Sequence, residues 1–355
     1  MDKRENLLSL LRRKGFNEIP VEFMLCPSLV KEYQNQTNSD LDYNDYFQMP
    51  WKNVEDLRLI INNKEVFKKY YDYEFKSGTE IDIWGVAHEP GSAAAKHMTR
   101  MHNPLKNIKS IEELKEYPFP DFHNAKADHQ KVQVQQIHTK GLAAVGNMAC
   151  TVWETSWYMR SMEELMMDMM TEDIKAEFVL DKVTELSCLR AQAYARAGVD
   201  ILFLGDDIGM QSTILMSEEL YVTWLKPRLK KIIDSARKIK PDILVFYHSC
   251  GFATPFIPHL IEAGIDVLNP IQPECMNFSE IYANFSDRLS FHGTIGTQTT
   301  MPFGTADDVR REVFKNLDFA GNKGGIFVAP THVLEPEVPW GNIMAYVNAC
   351  KDFFK

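Results

Sequence analysis

From about residue 130 onward the chain repeats one pattern, a short apolar run followed by a longer amphipathic stretch, and few folds accept it. The runs are GLAAVGNMAC (141–150), GVDILFLGDD (198–207), PDILVFYHSCG (241–251), GIDVLNPIQP (264–273), RLSFHGTIGT (288–297) and GGIFVAPTH (324–332). Between them lie stretches with apolar residues at helical spacing, such as EELYVTWLKPRLKKIIDSARKI and DVRREVFKNLDFA. Gly198, Pro241, Gly264 and Gly324 stand where the preceding helix must stop. Strands alternating with helices in this way predict a parallel sheet covered by helices.

IPVEFMLCP (19–27) and TEIDIWGVAH (79–88) can supply two further strands, and eight strands close a (β/α)8 TIM barrel. An open doubly wound sheet would need a Gly-rich phosphate turn after its first strand, and PVEFMLCPSLV contains no glycine. The expectation is one domain over 1–355, irregular through 1–130 and regular over 131–355, with 28–78 and 89–130 inserted over the barrel mouth. MDKRENLLSLLRRKGF predicts a short amphipathic helix, with none of the apolar core or cleavage site of a signal peptide.

Composition narrows the partners. No apolar run is long enough for a membrane span. A formal net charge of −10 with no extended basic run gives little attraction to a polyphosphate, which argues against nucleic acid. Six scattered cysteines, in a chain too long to need disulfide staples, fit free thiols in a reducing cytoplasm. A homodimer is allowed by such a fold and not required by it.

In a (β/α)8 barrel the chemistry collects at the C-terminal ends of the strands. That rule selects Glu22, Asn147 and Met148, Asp206 and Asp207, then Tyr247, His248 and Cys250. Further along it selects Asn269 and Gln272, His292, Thr294 and Gln298, and finally Thr331 and His332. His248 and Cys250 stand two residues apart, so strand periodicity turns both to one side, where they can reach one ion. Zinc accepts imidazole and thiolate, and a catalytic site uses three protein ligands with one position open. His332, at the end of the eighth expected strand, is the third candidate. The plainer alternative is a hydrogen-bonded core histidine and a small buried thiol.

Asp206 and Asp207 cannot both be buried and charged without partners. One or both cap a helix or pair with an arginine, or else a carboxylate faces the cavity as acid, base or substrate anchor. VWETSWYMR (152–160) follows the third expected strand, and on a loop there its aromatic residues can wall a flat ligand.

GVDILFLGDDIGMQSTILMSEELY, FYHSCGFATPFIPHLIEAGIDVLNPIQP, LSFHGTIGTQTTMPFGTADDVRREV and GGIFVAPTHVLEPEVPWGNIMAYVNA resemble successive blocks of the uroporphyrinogen decarboxylase superfamily. The resemblance runs from about residue 140 to the C-terminus and is much weaker in the first third. It implies a (β/α)8 barrel with a deep cleft and one of two chemistries. One branch decarboxylates the acetate side chains of a tetrapyrrole without a cofactor. The other moves a methyl group to or from the cobalt of a corrinoid, as in methylcobalamin, carried by a separate protein and often with zinc. The first branch carries an Arg-rich segment near its N-terminus, whereas IPVEFMLCPSLVKEY has Glu22 and no arginine. The second places zinc on a His-x-Cys at the fifth strand and a Cys at the eighth. His248 and Cys250 match the first two, and His332 stands near the third. An imidazole in place of a thiolate keeps a ligand and removes one negative charge. Gln272 or Glu274 can add an oxygen ligand.

The resemblance therefore implies a cytoplasmic, corrinoid-protein-dependent methyltransferase with zinc on His248, Cys250 and His332. Its methyl donor or acceptor would be a small molecule: a methoxy compound in O-demethylation, a methylamine or a thiol. Asp206 and Asp207 are the expected catalytic carboxylates. Glu22, Asn147, Trp153, Gln211, Tyr247 and Gln298 are expected to contact the substrate. The alternatives are a metal-independent decarboxylase of the same fold and a catalytically silent binding protein.

Overall fold

The computed structural model describes residues 1–61, 63–91 and 99–353. Its centre is a parallel sheet of seven strands: β1 (Trp51–Val54), β5 (Ala143–Ala149), β6 (Ile201–Gly205), β7 (Leu244–His248), β8 (Val267–Asn269), β9 (Ser290–His292) and β10 (Ile326–Phe327), in that spatial order. A separate antiparallel sheet holds β2 (Glu80–Ile81), β3 (Ala87–Pro90) and β4 (Thr99–His102). The seven strands curl into a TIM-barrel-like half-barrel, because Trp51 on one edge strand packs 5.2 Å from Phe327 on the other.

The six expected strands from residue 141 onward all appear, each shorter than its apolar run. The two earlier assignments are corrected. Residues 19–27 form no ladder: their sheet contact is one parallel bridge, Leu25 to Leu334, with Tyr346 Oη 3.1 Å from the Glu22 carbonyl and 2.9 Å from that of Val328. Residues 79–88 leave the barrel altogether. Asp82 accepts from the Trp84 and Val86 N–H groups, Gly85 takes φ +84°, and the run folds back on itself as β2 and β3. The first barrel strand is instead WKNV, set parallel against Ala143–Gly146.

Strand periodicity divides the core. Val145, Ile201, Phe203, Leu244, Phe246, Val267 and Phe327 face the interior with Trp51, and four leucines of α1 (Lys3–Leu11) join that cluster. Leu202, Leu204, Val245, Tyr247 and Leu268 face outward into the helix layer. The α1 helix seals the end where the strands begin. Its Leu10 carbonyl accepts from Gly325 N at 2.8 Å, its Leu11 carbonyl from Ser290 Oγ at 2.7 Å, and Arg4 forks onto Asp200. Of the expected inserts, the small sheet and residues around 105–122 pack against the outer helix Ile174–Ala197 through Val179, Val183 and Leu186.

Candidate metal centre

At the other end of the sheet, β6 and β7 finish side by side, with Gly205 paired to His248. A Cβ on Gly205 would stand 2.6 Å from that of His248, so only glycine lets the imidazole take this place. The chain beyond β6 then turns its two carboxylates apart. Asp206 accepts from Val152 N at 3.1 Å and Glu154 N at 2.9 Å, capping the helix Trp153–Arg160 from across the sheet. Asp207 turns to the cleft, where its Oδ1 accepts from Cys250 N at 2.7 Å and lies 3.5 Å from His248 Nε2.

Cys250 Sγ lies 3.3 Å from the same His248 Nε2. One ligand atom each from Asp207, His248 and Cys250 fall within 4.8 Å of one another. His332 is close but outside this group, its ring 6.5 Å from that of His248. A cleft of about 630 Å³ opens above them, and Gln211, Gln272, Gln298 and His332 line it together with Asp207 and Cys250. The Gln211 and Gln298 amides exchange hydrogen bonds of 2.9 and 3.2 Å across its mouth.

The centre is crowded with groups that resist negative charge. Burial, then Asp207 and Glu154, pushes the Cys250 thiol far above its usual range. Glu154, held by Tyr158 Oη at 2.7 Å, is raised by burial and then by Asp207. Asp206 is pushed up to about 8, by burial first and Glu154 next. Burial, then His248, lowers His332. A divalent cation held by Asp207, His248 and Cys250 would reverse this balance, because it would favour the thiolate and answer the carboxylates at once.

Three expected substrate contacts lie elsewhere, and a fourth, Asn147, stays on the interior face of the sheet. Tyr247 is buried on the outward face, since the periodicity that turns His248 inward turns its neighbour away. Trp153 is fully buried in a helix, where a loop was expected, because Asp206 caps that helix. Glu22 is buried with its Oε2 3.2 Å from His292 Nε2. Asn147 faces the interior of β5, exposed, with its side-chain oxygen on Ala149 N. Glu274 braces a loop by accepting from Gln298 N and Thr299 Oγ. Sequence reasoning named Asp207 as acid, base or anchor and overlooked its place beside His248 and Cys250. It also left Glu154 without a role, although a carboxylate two residues into a capped helix was a visible signal.

A parallel, half-barrel α/β sheet with polar side chains gathered beyond the ends of its strands is the architecture of TIM-barrel-like proteins. Within that class the chain belongs to the uroporphyrinogen decarboxylase (URO-D) family, whose model matches residues 92–353. Among solved structures it is similar to a methyltransferase from Methanosarcina mazei, at 18% identity and TM-score 0.70 over 100% of both chains. A B12-independent methionine synthase from Shewanella sp. W3-18-1 is more distant, at 12% identity and TM-score 0.43 over 64% of each chain. No curated protein matches the sequence. Among the described residues, no helix is long and apolar enough to cross a membrane.

Proposed function

We propose that this protein is a zinc-dependent methyltransferase, moving a methyl group between a small methylated substrate or thiol and the cobalt of a corrinoid held on a partner protein. The convergence of Asp207, His248 and Cys250 within 4.8 Å at the floor of the cleft carries this reading. Imidazole, thiolate and carboxylate are a zinc-type donor set, and three of them leave the fourth position open. Zinc there supplies Lewis acidity to the heteroatom that carries or receives the methyl group. His332 lines the same cleft, and Gln211, Gln272 and Gln298 offer amides to orient a small polar molecule. The cleft suits a neutral or cationic ligand better than a polycarboxylate: its lining includes Asp207, Glu335 and Glu337 and, among the described residues, neither Lys nor Arg. That charge weighs against the decarboxylase alternative.

Elemental analysis of protein purified without chelator tests the reading, with about one zinc per chain expected. Cys250→Ser and Asp207→Asn should each weaken zinc binding more than His332→Ala does. Substoichiometric zinc in the unaltered protein would overturn the proposal. With metal present, methyl transfer from methoxyaromatics, methylamines or methyl thiols to cob(I)alamin identifies the donor class. Silence across all three classes favours the lyase.

A further inference from the structure

Beneath the metal centre, the interior layer at the ends of β7, β8 and β9 carries a file of polar side chains that the proposed chemistry leaves unused. His248 Nδ1 is 2.6 Å from Asn269 Oδ1, and Asn269 Nδ2 is 2.6 Å from His292 Nδ1. His292 Nε2 is in turn 3.2 Å from Glu22 Oε2. Asn269, His292 and Glu22 are 4%, 5% and 8% exposed, so water does not relieve a mismatched partner. The rings of Phe327, Trp51 and Phe246 pack around His292 at 4.6, 5.4 and 5.8 Å.

The Asn269 amide has two possible orientations, and its second contact permits one. Nδ2 also lies 3.4 Å from the His292 carbonyl, which can only accept, so a flipped amide would set oxygen against oxygen. The same Nδ2 faces His292 Nδ1. Asn269 Oδ1 therefore accepts, and His248 Nδ1 must donate to it. The lone pair of His248 is left on Nε2, the atom that faces Cys250 Sγ and Asp207 Oδ1. In water a histidine side chain favours the other tautomer.

We propose that Asn269, oriented by His292, is a positioning residue that locks His248 as the Nδ1–H tautomer, so that Nε2 is a ready ligand before any metal arrives. The use of that ligand rests on the zinc reading above; the tautomer itself does not.

Long-range 1H–15N correlation of the metal-free full chain reads the tautomer directly, with His248 assigned by its loss in His248→Gln. The expected spectrum shows a protonated Nδ1 and a bare Nε2 on His248, and the reverse on His292. Asn269→Ala should release His248 to the Nε2–H form, and Asn269→Asp, whose carboxylate can only accept, should restore Nδ1–H. Where Asn269→Ala does not fold, the spectrum of the unaltered protein decides the matter, since it reads the tautomer without a variant. Zinc affinity should fall about 10- to 100-fold in Asn269→Ala and recover in Asn269→Asp. An Nε2–H signal for His248 in the unaltered protein, or an Nδ1–H signal unmoved by Asn269→Ala, overturns the proposal whether or not zinc binds. An Nδ1–H tautomer in a protein that takes up no zinc keeps the file and defeats the metal reading.

Discussion

Where the parallel strands begin, Leu7, Leu8, Leu10 and Leu11 of α1 close the interior against Ala143, Ile201, Leu244 and Val267. Where the same strands end, the interior face carries His248, Asn269 and His292, with Asp207 and Cys250 just beyond. One end excludes water and pairs its few polar groups within the fold. The other pairs its polar groups with one another beside an open cleft. The difference teaches that a parallel sheet can assign stability and chemistry to opposite ends of the same few strands, so that a change at one end leaves the other intact.

The largest expected effect that sharpens this contrast comes from the sealed end. Leu10 is fully buried, and Leu10→Ala should cost about 3 kcal/mol by the lost transfer energy and the cavity left behind. Urea unfolding measures it, and zinc content per folded chain should not change. A comparable loss of zinc would break the contrast.

Asp200 comes next. Burial alone would raise its carboxyl, but the Arg4 hydrogen bonds, the Ala144 N–H and His138 outweigh burial and hold it below its ordinary value. The unfolded chain takes up this proton at a higher pH than the folded one. The contribution to stability is therefore complete above about pH 4, the unfolded carboxyl's range, and is lost as pH falls through the folded value. Asp200→Asn should remove roughly 2 kcal/mol at pH 7, discounted for the partly exposed Arg4, and flatten the acid limb of a stability curve.

The smallest effect belongs to the open end. Gln211 is exposed and bonded chiefly to Gln298, so Gln211→Ala should alter stability by less than about 0.5 kcal/mol. If the cleft orients a methyl substrate, the same change should raise KM roughly 2- to 10-fold, the weight of one neutral hydrogen bond. An unchanged KM would place the substrate deeper, away from the amide pair.

Much of this arrangement was legible in the sequence because it depends on period and position. The six strands after residue 141 announced themselves as apolar runs between helices. His248 and Cys250 do meet, although the strand ends at His248 and the turn beyond it, not strand period, brings Cys250 Sγ back to 3.3 Å from the imidazole. What escaped depends on neighbours. WKNV has two polar residues in four and becomes a strand because Ala143–Gly146 lies alongside it. TEIDIWGVAH looked like a barrel strand, although its Asp82 and Gly85 are turn chemistry within the run. The adjacent Asp206 and Asp207 are indistinguishable as letters. The helix start at residues 152–154 claims the first, which leaves the second for the cleft. The file that reaches His248 is the least readable of all, since its four members are spread across 270 positions of the chain, from 22 to 292.

The docking of α1 has a consequence in time. Leu10 hydrogen-bonds to Gly325, and Leu11 to Ser290, so some of the helix's lasting partners emerge about three hundred residues after it does. Its leucines gain cover in stages, from Ala143, then Ile201, Leu244 and Val267, and last from Phe327. The seal at the sheet's apolar end is thus completed late in synthesis, and the interval before it closes is where a chaperone would have much to do.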